Sequence, residues 1–517
     1  MLTDARPGDG HEIAGWDASG QRVVGEKADV LRTGNVQTVS QAGQLENPDS
    51  VVVIGDLQSG PLLSDYAACY QGLSSADSAR FSKQFWEFGC TRAGWTFLQG
   101  TVDQTAHYGG RDHVLWLDQL LGVASDLGAA IRGRQAWGRQ GIVFGQMRAL
   151  PSSLYTGEVF CDSAPVLIPV DPSILPAVWA FCESGEMARA IRANNPKLSV
   201  NNGYFVKVPF DLSHWQGVAE ELYPDGLPRP QSNDPTQWLF EGHPAGSTNP
   251  LQVAVARLLG YRWPRQTGAE IRQCGPVVPD GLEPLADADG IVCLPAVAGE
   301  QPAEERLRAL LAAAYGNEWS QSVQDRLLSD AGFAGKSLGE WLRDGFFPQH
   351  CKLFHNRPFV WHVWDGQKEG FSALVNYHGL DRAKLEKLIY TYLGTWIGVQ
   401  QEVESRNEPG ANARLVAAQS LKTRLEAILE GEPPYDIYIR WKPLHEQPIG
   451  WNPDLNDGVR LNIRPFVTAG VLRSKFTVNW NKDRGTNPDG SERINDKHFS
   501  RAEKEAAQGK KEGDGWN

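Results

Sequence analysis

"EGEPPYDIYIRW", Glu430–Trp441, is the stretch whose reading decides the fold class. If a buried strand feeds Glu432-Pro433-Pro434-Tyr435, the turn belongs at the carboxyl edge of a doubly wound α/β sheet, where such folds bind ligands. If a helix feeds it, the prolines are a stop signal. The residues before it decide the matter. Leu415, Ala418, Leu421, Leu425, Ile428 and Leu429 recur at helical spacing and are stopped by Gly431. The prolines close a helix, and the chain reads as α+β.

Working outward, a longer stripe precedes it: Leu385, Leu388, Ile389, Tyr392, Leu393, Trp396 and Ile397, with Asp381 placed as N-cap. Leu307, Leu310, Leu311 and Ala314 make another. Toward the N-terminus, "GIVFGQM" and "APVLIPV" (Ala164–Val170) predict strands, and "VLWLDQLL" a strand or short mixed element. Ser173–Phe181 and Glu186–Ala193 have helical spacing, and Leu198–Leu212 is expected to return as a strand broken at Asn201-Asn202-Gly203. Ser50–Gly60 reads as a buried strand entering a turn, with glycine spacing wrong for a nucleotide loop. The expected divisions are an irregular segment at 1–65, a mixed α+β region at 66–215 and a Pro/Gly-rich connection at 216–300. A helical region at 301–430, a mixed region at 431–490 and a charged tail at 491–517, disordered or a solvated helix, complete them.

The chain has 517 residues, enough for two to four domains, with a hydrophobic fraction of 41% that suits a globular protein. Its cysteines (Cys69, Cys90, Cys161, Cys182, Cys274, Cys293, Cys351) are odd in number and lack a C-x-x-C, which argues for reduced thiols and a cytoplasmic setting. No signal peptide and no membrane-length apolar run is seen, so no membrane partner is expected. Most of the 18 tryptophans are expected in packing.

The formal charge is −12, which disfavours nucleic acid unless the cations are segregated. They are. No acid interrupts Asp126 to Glu158, which holds Arg132, Arg134, Arg139 and Arg148. None interrupts Glu186 to Asp211, with Arg189, Arg192, Lys197 and Lys207, or Asp457 to Asp483, with Arg460, Arg464, Arg473, Lys475 and Lys482. Three such windows predict one electropositive surface.

"YAACYQGLSSADSARFSKQFWEFG" (Tyr66–Gly89) resembles a segment of the large adenine-N6 DNA methyltransferases of type II restriction–modification and of BREX- and DISARM-like phage defence. There it leads from the catalytic fold into the target-recognition region. Gln71, Gly72, Asp77, Arg80 and Phe81 match that pattern, and Ala76 replaces its glycine. His107–Trp116, Ala136–Phe160, Arg357–Asp381 and Asp454–Gly485 resemble later blocks, so the likeness covers nearly everything after about residue 45. It implies that 1–65 includes the end of a catalytic-type fold, that 66–215 is the target-recognition region, and that the doubly wound methyltransferase domain is largely absent. In that family an Asn/Asp-Pro-Pro-aromatic turn receives the flipped adenine. Glu432 is too long for that role, and no Gly-rich methyl-donor loop is found.

The resemblance therefore implies the DNA-recognition half of an adenine-specific methyltransferase, inactive alone, from a split gene or a truncated or degenerate copy. Double-stranded DNA and a catalytic half, or other defence-system subunits, are its expected partners. S-adenosylmethionine is expected in the complementing half, with no cofactor on this chain. Arg134, Arg139, Gln146, Arg148, Asn201, Asn202 and Lys207 are candidate DNA contacts, since Arg pairs with guanine edges and Asn or Gln with adenine. Arg473, Lys475 and Lys482 are candidate phosphate clamps. The competing readings are a non-catalytic DNA-binding or adaptor subunit, and a hydrolase using carboxylates such as Asp280.

Overall fold

A computed structural model describes residues 10–18, 21, 23–45, 52–54, 60–89, 93–195, 197–275, 277–473, 485–486, 492–493 and 498–513. It is an α+β fold with several small sheets, arranged in two compact units. The first comprises Met1–Ala76, Phe97–Arg111 and Val123–Pro230; the second comprises Asp77–Thr96, Asp112–Gly122 and Gln231–Asn517. No described helix is long and apolar enough to cross a membrane.

The first unit is built on a four-stranded antiparallel sheet in the order Ala67–Tyr70, Val166–Pro169, Gly141–Phe144, Ser152–Tyr155. Successive side chains point to opposite faces. Ile142, Phe144, Leu154 and Leu167 therefore pack with Trp179, Phe181 and Trp215 of the helices Leu175–Glu183 and Leu212–Leu222. Val143, Tyr155, Val166 and Ile168 pack with Ala136 and Phe160 on the other side. Both faces are covered, so the central strands Gly141–Phe144 and Val166–Pro169 read as unbroken apolar runs. The central strand depends on close backbone approach, since a Cβ at Gly141 would lie 2.2 Å from the Leu167 carbonyl oxygen.

The strand expected over Leu198–Leu212 is not formed. Ser199 makes one bridge to Met147, Asn202–Val206 is a 3₁₀ turn, and Leu212 opens the helix Leu212–Leu222. The apolar residues that suggested alternation, Val200, Phe205, Val208 and Phe210, are buried in the core at irregular spacing. Asn202 also takes this segment out of ladder pairing, donating from Nδ2 to the Cys69 carbonyl at 3.3 Å. Of Ser50–Gly60, residues 55–59 lie outside the described residues, and 52–54 carry no strand.

The second unit centres on an antiparallel sheet in the order Ile291–Cys293, Ser372–Asn376, Val360–Trp364. Trp361 lies beneath it, its ring 4.9 Å from Tyr377, 5.0 Å from Phe466 and 6.0 Å from Trp451. Around the sheet the helical stripes appear at the expected places: Ala303–Tyr315, then Arg382–Glu386 continuing through a π-helical stretch, Lys387–Leu393, into Gly394–Ser405. Asp381 caps as expected, accepting from the Lys384 N–H at 2.8 Å. Ala411–Glu430 ends at Gly431, whose φ of +70° is the left-handed helix stop that glycine favours. Tyr435 N–H then donates to the Glu432 carbonyl at 2.8 Å, so Glu432–Tyr435 is a helix-terminating turn. "VLWLDQLL" divides into the strand His113–Trp116 and the helix Leu117–Leu127. In the tail, Arg501–Gly513 is helical, and Lys504 is buried against the carbonyls of Ile437 and Pro448.

Candidate functional site

The first two acid-free windows meet at one end of the Gly141–Phe144 strand. Beyond Phe144 the chain turns through Gln146 and Arg148 to Leu150, and both Arg148 and Leu150 hold positive φ (53° and 52°). That backbone is unfavourable for side-chain-bearing residues, so something outside the loop must hold it. Arg192, on the helix Glu186–Asn194, does so. Its Nε donates to the Arg148 carbonyl at 3.0 Å, and Nη2 donates to the same oxygen and, at 3.3 Å, to the Leu198 carbonyl. Nη1 reaches the Lys197 carbonyl. A planar guanidinium suits this task because its donors diverge in one fixed fork. Burial lowers the pKa of Arg192. An arginine stays charged regardless.

With Arg192 holding the backbone, the side chains of Arg148, Arg189 and Lys197 stand exposed on this rim, beside half-buried Gln146. Arg189 meets Glu186 at 3.5 Å. The Gln146 carbonyl accepts from Val200 N–H at 3.0 Å, which ties the rim to the neighbouring chain. Exposed Asn201 opens the adjoining 3₁₀ turn, whose Asn202 is anchored to the sheet. Lys207 lies 5.8 Å from the Tyr204 ring centroid.

Arg139 is not part of that rim. It precedes the Gly141–Phe144 strand, whereas Gln146 and Arg148 follow it, so a four-residue strand of about 13 Å separates them. Arg139 Nη2 donates to the Pro169 carbonyl at 3.1 Å, Arg134 lies 5.7 Å from the Trp137 ring, and Arg132 donates to Gln71 Oε1 at 3.2 Å. Within the first window, Arg139 and Arg148 thus stand at opposite ends of one strand.

Arg473 lies in the second unit, where Nη2 is bonded to Asp344 Oδ1 at 2.7 Å and the guanidinium lies 3.9 Å over the Trp364 ring. Arg343 first, and Arg473 with it, hold the Asp344 carboxyl below the usual carboxylate range. A cation so engaged braces the fold. Lys475 and Lys482 lie outside the described residues.

Sequence reasoning did not select Arg192 and Lys197 as contacts, although both lie in the second window. Only the fold brings the carbonyls of Arg148, Lys197 and Leu198 around one guanidinium.

Two features of the Tyr66–Gly89 segment acquire physical reasons. A Cβ on Gly72 would lie 2.2 Å from the Cys161 carbonyl oxygen and 2.3 Å from that of Phe160. Ala76 holds φ of +58°, the backbone region in which glycine is least strained. Asp77 caps the helix Ser78–Phe81 by accepting from Arg80 N–H at 3.3 Å.

Of the two places considered from sequence for a methyl donor, Glu432 follows a helix, and 52–54 form no strand while 55–59 lie outside the described residues. Among the described residues no group of three or more His, Cys, Asp or Glu is placed to hold a metal ion. Asp280 accepts two bonds from Arg257, at 2.6 and 2.9 Å, and is engaged in that pair. His350 is wholly buried among aromatic rings, and burial pushes its pKa down to about 3. Comparison with protein-family models finds no match, and neither does comparison with curated proteins.

Proposed function

We propose that this chain is the DNA-recognition portion of an adenine-N6 DNA methyltransferase, with S-adenosylmethionine and the flipped adenine handled by a separate catalytic half. The observation that carries this reading is the rim of the first unit. There Arg148, Arg189 and Lys197 stand exposed around a loop whose backbone a fourth cation, Arg192, holds. The ordered sequence blocks after about residue 45 support the identity of the enzyme class, and the rim supports contact with a polyanion. Exposed arginine beside Gln146 combines phosphate attraction with side chains able to read guanine and adenine edges.

Duplex binding under salt titration tests the reading. The full chain is expected to bind duplex DNA with affinity falling steeply in salt despite its net charge of −12. Co-expression with a complementing catalytic half should yield adenine methylation, while the chain alone transfers no methyl group. Absence of duplex affinity at low salt, with and without such a partner, would sink the proposal.

A further inference from the structure

The second unit contains a cleft that the DNA-recognition reading does not use. It has a volume of about 280 Å³ and is lined by Ser82, Lys83, Arg357, Arg440, Trp441 and Arg460, with Glu87 and Asp457 also in its wall. Four cations converge on a space suited to one small chemical group.

The two carboxylates in the wall are already engaged. Glu87 is fully buried and accepts from the N–H groups of Gln84 and Val459 at 2.9 and 2.8 Å, with Arg357 Nε at 3.3 Å. Asp457 accepts from Trp441 Nε1 at 3.1 Å and from Lys442 Nζ at 2.6 Å. Lys83, Arg357 and Arg440 are engaged less fully. Lys83 is 5% exposed, yet among the described residues its ammonium hydrogen-bonds only the Ala79 and Arg80 carbonyls, lies 5.2 Å from the Trp441 ring centroid and meets no carboxylate within 4 Å. An ammonium has three N–H donors, so one remains. Arg357 uses Nε on Glu87, and its two terminal nitrogens bond nothing else described. Arg440 places one terminal nitrogen on Asp77 at 2.5 Å, which leaves further donors of its fork for a ligand. A buried ammonium with no carboxylate in contact is costly, and an anion in the cleft would relieve that cost.

The geometry points to a binding site for a phosphate group, held by Lys83, Arg357 and Arg440 with Ser82 at the rim. A tetrahedral oxyanion has enough acceptor oxygens for several converging donors, and guanidinium pairs favour it. The group could come from a free nucleotide or from a nucleic-acid backbone.

Burial, and then the neighbouring Arg357 charge, bring the Lys83 pKa down to about 8, against the pull of Glu87, Asp457 and Asp77. Arg80 on the preceding helix, Ser78–Phe81, and His113, Arg440 and Arg460 in the cleft wall complete its charged surroundings. Only the protonated lysine attracts an anion, so binding should weaken as pH rises above about 8.

The test is calorimetry of the full chain with inorganic phosphate from pH 7.5 to 10, with sulfate as a second probe whose charge is constant. Saturable binding that weakens about tenfold per pH unit above pH 8 is expected for one linked proton. Lys83→Met should bind at least tenfold more weakly, with a flat profile. No saturable binding of either ion at pH 7.5, or an unchanged Lys83→Met, would overturn the site. If that variant does not fold, a flat wild-type profile overturns it instead. Displacement of phosphate by a nucleoside monophosphate, or by duplex alone, supports the site and names the source; displacement by neither overturns a phosphate ester as ligand. Arg148→Gly, on the other unit, should leave phosphate binding unchanged, so this proposal and the DNA-recognition reading fail separately.

Discussion

Cations are handled differently in the two units. In the first, Arg192 is satisfied by three backbone carbonyls, and Arg139 by one. In the second, Arg257 meets Asp280 and Glu283, Arg306 meets Asp287 and Glu300, and Arg473 meets Asp344. A carbonyl orders an arginine but does not neutralise it, so Arg192 stays charged at the rim of the first unit. A carboxylate cancels the charge locally and turns the arginine into a brace. Counting basic residues by window cannot separate the two uses, because the acids that cancel Arg473 and Arg257 come from elsewhere in the chain.

The sharpest break of this contrast is Asp280→Ala. It strands Arg257, 3% exposed, without its bidentate partner, and should cost about 3–5 kcal/mol in denaturant unfolding. The pair also gives a pH signature. Burial alone would raise the Asp280 carboxyl, but the hydrogen bond and charge of Arg257 outweigh it and leave the pKa below the usual value. A depressed carboxylate contributes stability above its unfolded pKa and loses it as pH falls through the folded one. Wild type should therefore lose stability relative to Asp280→Ala in the acid range, below about pH 4. Equal acid sensitivity in the two proteins would show that the pair is not the brace described.

Lys83 loses stability in the same direction of pH but for the opposite reason, being a cation that is buried without a carboxylate in contact. Its folded pKa of about 8 lies below the usual lysine value, so the unfolded chain binds more protons between pH 8 and about 10.5. Stability present above pH 10.5 is lost as pH falls through 8. Relative to Lys83→Met, wild type should gain up to about 3 kcal/mol as pH rises across that window. Parallel stability curves for the two proteins would refute the desolvated ammonium.

Arg192→Met removes a carbonyl-bound cation and should cost about 1.5–3 kcal/mol, the range for hydrogen bonds to a charged group. Duplex affinity should fall with it, as the Arg148 loop loses its tether. Arg192→Lys is a weak rescue, because an ammonium cannot span three carbonyls arranged for a planar fork. Full rescue by lysine would mean that charge, and not loop geometry, is the role of Arg192.

The smallest effect is expected at Arg148→Gly. Glycine relieves the left-handed backbone, so stability should change by no more than about 1 kcal/mol. The log–log salt slope of duplex binding should drop by roughly one unit. An unchanged slope would take Arg148 out of the interface.

Local physics made part of this protein legible from sequence. The stripes ending at Ile397 and Leu429 were readable because a helix's periodicity and its Asp381 cap or Gly431 stop lie close together along the chain. The Val166–Pro169 strand was readable as a doubly covered apolar run, and the Glu432–Tyr435 turn as the end of a helix. Leu198–Leu212 was misread because its apolar residues fill an irregular core surface with no ladder to join. The acid-free windows were visible, but their division was not. Arg148 meets Arg192 from 44 residues away, Arg473 meets Asp344 from 129 away, and Glu87 meets Val459 from 372 away. Composition and short-range spacing determined the α+β class and the placement of its helices. Only tertiary structure decided which cations are cancelled, which are ordered yet left charged, and which converge on one cleft, because charge pairing acts through space between segments that sequence order keeps apart.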